Sequence, residues 1–94
     1  MSAARRLLDT RRRVPPEGRE EYDQEWRALR DAAGERGMRA WRFGSTGGGN
    51  RFAEFLEFGE VEPFDDPACR EALGRLDRSF PPETMPSLWL SLDE

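Results

Sequence analysis

Residues 38–58 read MRAWRFGSTGGGNRFAEFLEF, and this stretch decides the fold. It contains two runs rich in aromatic and apolar residues, 38–43 and 51–58, separated by the turn-forming residues 44–50. Two such runs joined by a glycine-rich turn are typical of a β-hairpin. We therefore predict two adjacent antiparallel strands, of which residues 51–58 (RFAEFLEF) form the clearer one.

A helix is predicted on each side of this hairpin. Upstream, residues 16–35 begin with proline and several glutamates, which suit the first turn of a helix, and glycines follow at the end. Their apolar face has helical spacing and consists of Tyr22, Trp26, Leu29 and Ala33. Downstream, a second helix is predicted to begin at Asp65 or Asp66 and to stop before the prolines at 81–82. Its apolar face consists of Cys69, Ala72, Leu73, Leu76 and Phe80.

The two ends of the chain are predicted to add one strand each. Residues 5–14 give a weaker strand signal, for which a basic disordered arm is the alternative, and residues 87–92 (SLWLSL) give a last strand. The order is then β-α-β-β-α-β. This order predicts the α+β class with a ferredoxin-like fold, in which a four-stranded antiparallel sheet carries two helices on one face. We expect one domain over residues 1–94, with residues 1–4 disordered.

The composition excludes several kinds of chemistry. The chain has no His, and all 15 basic residues are Arg, so it has no Lys. A His-ligated metal, a Ser–His pair and a Lys Schiff base are therefore excluded. The single cysteine, Cys69, has no partner for an internal disulfide. We predict that the protein uses no metal and no cofactor.

The charge is distributed unevenly along the chain. Residues 1–14 carry a net charge of +4 and residues 15–94 carry −8, which gives −4 in total. An acidic body disfavours nucleic acid as a partner. No apolar run is long enough to span a bilayer, and no signal-peptide pattern follows the basic start. We expect a soluble cytoplasmic protein with neither a nucleic-acid nor a membrane partner.

Two helices cover only one face of such a sheet, so the other face is the candidate functional surface. Alternation along the strands predicts which side chains lie there. We call this surface the open face, and its predicted members are Arg11, Arg13, Arg39, Trp41, Phe55, Glu57 and Trp89. On the helix side, the charge of Glu54 requires a partner, for which Arg12 and Arg42 are the candidates. Leu88, Leu90 and Leu92 are also expected to face the helices.

An aromatic face of this kind needs a cover on a protein in water. A second copy of the chain is one candidate, and a small organic molecule held between two copies is another. Residues 51–58 also match part of the third-strand signature of RNA-recognition domains, through Arg51, Phe55, Leu56 and Phe58. Phe52, Ala53 and Glu54 depart from that signature, and RNA binding is the least favoured alternative.

Several of these features together resemble a known family. They are Val-Pro-Pro-Glu at 14–17, Tyr22 and Trp26 on one helix, the hairpin, and Asp-Pro-Ala-Cys-Arg-Glu-Ala-Leu at 66–73. In this respect the chain, over residues 5–92, is similar to the dimeric α+β barrel superfamily, and most of all to its antibiotic-biosynthesis-monooxygenase-like members. The resemblance implies a homodimer whose two sheets face each other, sometimes around a small hydrophobic or aromatic ligand.

The same resemblance implies where an activity would reside. Cofactor-free oxygenases of this kind use Asn, Trp, Arg, Tyr or His in the cavity. This chain departs from that pattern because it lacks His and its one Asn, Asn50, lies in the glycine loop. The leading interpretation is a small homodimeric protein that binds a small organic molecule in the barrel without catalysis. One alternative is a cofactor-free oxygenase-like activity, which would use Arg39, Trp41, Glu57 and Trp89, and the other is a pure dimerisation module.

Three further motifs admit both a functional and a structural interpretation. The glycine-rich residues 44–50 suggest a phosphate cradle, but they lack the GxGxxG spacing and open no helix, so a mobile hairpin loop is favoured. The acidic residues 59–66 suggest a hard-cation site, but capping and a solvated loop fit the spacing better. Cys69 is interpreted as a small buried residue, with a nucleophile at a helix N-terminus as the alternative.

Overall fold

The structure, a computed structural model, describes residues 5–93. The expected disorder of residues 1–4 lies outside this range. The elements, after which the helices and strands are labelled, are β1 (Arg6–Arg13), α1 (Arg19–Glu35), β2 (Arg39–Gly44), β3 (Arg51–Phe58), α2 (Pro67–Ser79) and β4 (Ser87–Leu90). A 3-10 turn at Pro16–Gly18 precedes α1.

The four strands form one antiparallel sheet in the order β2-β3-β1-β4. The predicted α+β, ferredoxin-like βαββαβ class is therefore confirmed. The register between β1 and β3 pairs Leu8 with Leu56 and Thr10 with Glu54, so the even-numbered residues of both strands lie on the same side. That side is the one covered by the helices.

The core lies between this side of the sheet and the two helices. All four predicted face residues of α1 are buried, from Tyr22 to Ala33. Those of α2 are buried apart from Leu73, which packs against the core while partly exposed. The α2 helix begins where the Asp66 carboxylate accepts a hydrogen bond from the Cys69 backbone N–H at 3.1 Å, with Pro67 in the first turn. An Asp cap followed by Pro is a strong start signal, which is why the sequence located this end well.

The prediction for the last strand is wrong in its end and right in the direction of its leucines. The strand ends at Leu90, so Leu92 lies beyond it. Leu88 and Leu90 do point to the helix side, since Leu88 pairs with Leu8, but they are 57% and 58% exposed. The helices do not extend over β4. Within residues 5–93, the buried core contains residues of β1, β3 and the helices but none of β4.

Candidate functional site: the open face of the sheet

The strand register places all seven residues predicted for the open face on the side of the sheet opposite the helices. Six further residues of the strands lie on the same side and were not included in that set, although Phe43 follows Trp41 by two positions and alternation places it there. They are Leu7, Asp9, Phe43, Arg51, Ala53 and Ser87. The four outward positions of β1 are Leu7, Asp9, Arg11 and Arg13, and three of them are charged, which is why the sequence signal for this strand was weak.

Aromatic side chains form a continuous row on the open face. The Trp41 and Phe55 rings stack with their centroids 5.9 Å apart and an interplanar angle of 21°. Phe43 meets Phe55 edge to face, also at 5.9 Å. The Arg11 guanidinium lies over the Phe55 ring at 5.9 Å. These offset arrangements are those that aromatic quadrupoles favour, so the rings hold each other in place.

The row lies between two concave regions. A groove of about 280 Å³ runs between Trp41 and Trp89, with Leu7 and Glu57 on its floor. At the other end of the sheet, a cleft of about 480 Å³ lies beside Phe43 and Ala53. Small-molecule sites have volumes in this range, although they are usually more enclosed. Both regions would gain walls if a second sheet faced this one.

Charged residues of both signs surround the rings. Arg11 donates two hydrogen bonds to the Asp9 carboxylate, at 2.8 and 3.1 Å. This interaction is the main reason why the pKa of Asp9 lies below its ordinary value. Arg5 and Glu57 form a looser ion pair at 3.6 Å. Within residues 5–93, Arg39 makes no ion pair, although it lies directly across from Glu57 on the next strand.

A second polar cluster lies on the helix side and is closed to solvent. The Nε atom of Arg12 donates to both Glu54 oxygens at 2.9 Å, and both side chains are buried. Arg12 is therefore the partner of Glu54, one of the two predicted, while the guanidinium of Arg42 binds Asp23 instead. Tyr22 donates to Glu54 at 2.6 Å. Because Glu54 is held in this cluster, Glu57 is the acidic group of β3 that is left to the open face.

Burial also determines how the hidden titratable groups behave. Burial is the main cause of the raised pKa of Tyr22, and the neighbouring Glu54 carboxylate raises this pKa further. Burial likewise raises the pKa of the Cys69 thiol to about 11, and the nearby Asp66 carboxylate contributes. The hypothesis that the helix N-terminus favours a Cys69 thiolate is therefore wrong, because burial outweighs the helix dipole.

The remaining motifs have simple structural roles in the described part of the chain. Among residues 5–93, no group of three or more His, Cys, Asp or Glu side chains could hold a metal ion. Two carboxylates of the acidic segment are used locally: Glu62 pairs with Arg6 at 3.4 Å, and Asp66 pairs with Arg36 at 2.7 Å. No helix within this range is long and apolar enough to cross a membrane. The predicted cytoplasmic location stays a prediction.

No family model and no curated protein matches this chain. A solved structure from Shewanella loihica PV-4, described as a "putative monooxygenase", has a similar fold. The two agree with a TM-score of 0.56 at 17% sequence identity, over 100% of this chain and 99% of the other. At this identity the likeness shows a shared ferredoxin-like fold.

Proposed function

We propose that this protein forms a homodimer through the open face and binds a small aromatic molecule between the two sheets. The observation that carries the proposal is the row of aromatic side chains that the chain's own helices leave uncovered. Phe43 and Trp89 are 59% and 57% exposed. A contiguous aromatic surface with charges at its margin is typical of an interface or a ligand site rather than of a free surface.

The charges of the open face favour a second copy as its cover. A two-fold axis places the same surface on both sides of the interface, so each residue meets a different residue of the partner. The open face carries Arg13 and Arg39 as well as Glu57 and Asp9, and such a mixture can complement itself. A chain of 94 residues also buries a smaller fraction of its surface than a larger domain does, so association adds stability.

The first experiment is the solution mass by light scattering on a sizing column, over a range of protein concentrations. We expect a mass near twice 10.8 kDa. Trp41→Ala and Trp89→Ala should shift the protein towards the monomer, whereas Val61→Ala should not. Val61 is an exposed apolar residue in the loop after β3 and serves as the control. A monomer that persists at high concentration contradicts the proposed dimer.

Ligand binding is tested with 1-anilinonaphthalene-8-sulfonate, an aromatic anion, at a concentration at which the dimer is populated. We expect saturable energy transfer from tryptophan to the probe. It should be lost in the Trp41→Ala variant and unchanged in Val61→Ala. A dimer that gives no probe signal would instead be a pure dimerisation module, and this outcome contradicts the binding part of the proposal.

A cofactor-free monooxygenase-like activity is the second candidate, and the shared fold with the Shewanella loihica protein favours it. The residues available on the open face are Arg39, Trp41, Glu57 and Trp89. Glu57 would accept a proton from the substrate, since its side chain is 29% exposed and lies in the groove beside Trp41 and Trp89. The test is oxygen uptake with 1,4-dihydroxynaphthalene above the rate without protein. Loss of that uptake in Glu57→Gln supports the activity, and no uptake by the unchanged protein excludes it for this compound.

A further inference from the structure

The loop between β2 and β3 borders another cleft, which extends towards α1 and shares part of its lining with the cleft beside Phe43. Its volume is about 360 Å³. Three arginines line it, and each comes from a different element: Arg19 from α1, Arg42 from β2 and Arg51 from β3. Among the described residues, no carboxylate lines this cleft. We refer to it below as the arginine cleft.

Two of these arginines are fixed in place by one carboxylate. The same oxygen of Asp23, Oδ1, accepts from Arg19 Nε at 3.0 Å and from Arg42 Nη1 at 2.8 Å. Each guanidinium also lies over an aromatic ring, Arg19 over Phe52 at 4.8 Å and Arg42 over Tyr22 at 5.1 Å. A ligand that binds both groups would therefore lose little side-chain freedom on binding.

The charges around the arginine cleft do not cancel. Within residues 5–93, Asp23 is the one carboxylate paired with Arg19 and Arg42. Glu83, which lies outside the cleft, is shared by Arg51 at 3.4 Å and by the open-face residue Arg13 at 3.6 Å. The three guanidinium groups of the cleft thus stand against two carboxylates, one of which is shared with a further arginine, in a chain whose net charge is −4. This local excess of positive charge would attract an anion.

The hydrogen-bonding capacity of the cleft is also only partly used. A guanidinium group carries five N–H donors, and Arg19 and Arg42 each direct one at Asp23. The side chains of Arg19 and Arg51 are 53% and 58% exposed, so their remaining donors are accessible. The loop adds the Ser45 hydroxyl to the lining of the cleft. Gly48 and Gly49 of this loop have no side chains and adopt positive φ angles of 83° and 81°.

We propose that the arginine cleft binds the phosphate group of a small phosphorylated molecule. A phosphate monoester offers three strong acceptor oxygens and close to two negative charges, which matches several guanidinium forks better than a single carboxylate does. Arg19 and Arg42 lie on the helix side of the sheet, whereas Arg51 lies across from Arg13 on the open-face side and also lines the cleft beside Phe43. The site is formed within one chain, so phosphate binding does not require the dimer or the aromatic ligand proposed above.

The test is a ¹H–¹⁵N NMR titration of the full chain with phenyl phosphate, with chloride adjusted to keep the ionic strength constant. We expect saturable shifts at the amides of residues 44–50 and at the Arg19, Arg42 and Arg51 side chains. Arg19→Gln and Arg51→Gln should each weaken binding at least about fivefold, because each removes a charge-assisted hydrogen bond. The control is Arg27→Gln, an exposed arginine of α1 without an ion pair in residues 5–93, which should stay within about twofold.

Two results would overturn the proposal. One is a set of shifts that does not saturate, or that spreads over all arginines, since this indicates loose counterion binding. The other is an affinity that is the same in Arg19→Gln, Arg51→Gln and Arg27→Gln. The spectra themselves report whether each variant is folded, and Arg19→Lys, which keeps the charge, should recover part of the affinity. Light scattering of the same samples separates this site from the dimer, because the mass should not depend on phenyl phosphate.

Discussion

At the scale of single residues, the most consequential pair is Arg12 and Glu54. The Arg12 side chain is completely buried in a small protein, and Glu54 is 4% exposed. Arg12 also donates to the Phe80 carbonyl oxygen at 2.8 Å, and Tyr22 supplies a further donor to Glu54. Burying two charges is unfavourable unless each is paired and hydrogen-bonded. Both charges are paired here, and Arg12 also lies 2.8 Å from the Asp77 carboxylate, but its Nη2 atom is buried without a hydrogen-bond partner within residues 5–93. The pair ties β1 and β3 to the end of α2.

Removing one member of this pair should destabilise the protein strongly. We expect Glu54→Gln to lower the free energy of unfolding by about 2 kcal/mol or more, because it removes the buried counterion of Arg12 and leaves the half-exposed Asp77 carboxylate, at 2.8 Å, to balance that charge. The matched control is Glu71→Gln, whose partner Arg75 lies at 3.0 Å but on the surface, and which should cost less than about 0.5 kcal/mol. Urea unfolding measures both. Equal effects in the two variants would show that burial of the Arg12–Glu54 pair has no energetic role.

The Cys69 thiol should be unreactive in the folded protein. Its pKa of about 11 is two units above the ordinary value of 9.0, so the thiolate fraction at pH 8 falls by about a hundredfold. We expect iodoacetamide to label the folded chain at least about 100 times more slowly than the chain unfolded in urea, with mass spectrometry as the readout. Because the pKa is raised on folding, this group stabilises the fold below pH 9, and that contribution is lost as the pH rises towards 11. Labelling rates within threefold of each other would contradict the burial of this thiol.

At the scale of elements, two glycines near the end of α1 have different functions. Gly34 lies within the helix, and a Cβ added there would meet nothing within 4 Å. Gly37 lies just beyond the helix with a φ of +77°, and a Cβ there would also meet nothing. The difference between them is therefore conformational rather than steric. Gly37 allows the chain to reverse from α1 into β2, which starts at Arg39.

This difference predicts opposite effects of the same substitution. Gly34→Ala should raise the free energy of unfolding by about 0.5–1 kcal/mol, because alanine loses less backbone entropy in a helix. Gly37→Ala should lower it by about 1 kcal/mol, because the left-handed conformation is unfavourable for a residue with a Cβ. Thermal unfolding of the two variants side by side checks the sign of each effect. A stabilising Gly37→Ala would mean that the turn adopts another conformation.

At the scale of the whole molecule, one side of the sheet carries the core and the other carries the open face. Strand β4 is exposed on both sides, since Leu88 and Leu90 on one and Trp89 on the other are all more than half exposed. A single chain thus leaves a large apolar area in water around β4 and β2. Such an area is where a second copy would add most to the stability.

The proposed dimer predicts that stability depends on protein concentration. By mass action, a hundredfold increase in concentration stabilises a folded dimer by up to about 2.7 kcal/mol relative to unfolded chains. We expect the Tm of the unchanged protein to rise over that range. The Tm of Trp89→Ala should change less, because the variant has lost part of the interface. A Tm that stays constant for the unchanged protein would be evidence of a monomer.

Much of this fold followed from local patterns in the sequence. The hairpin, both helix faces, the Asp66 cap and the side on which each open-face residue lies all depend on periodicity or on turn residues. These signals act within a few positions along the chain, so they can be recognised without knowing what packs where. For Trp41 and Phe55, two-residue alternation was sufficient to place both rings on the same side of the sheet.

Other features were decided only by the tertiary structure. The sequence left Arg12 and Arg42 as candidates for Glu54. Arg42 lies directly across from Glu54 in the sheet, yet it binds Asp23 of α1, and Arg12 pairs with Glu54 instead. The exposure of Leu88 and Leu90 depends on how far the helices extend across the sheet, which no pattern within β4 encodes. The arginine cleft joins residues 19, 42 and 51, which the glycine loop alone did not reveal. Each of these features is a contact between distant parts of the chain, and its geometry is set by the packing of whole elements rather than by neighbouring residues.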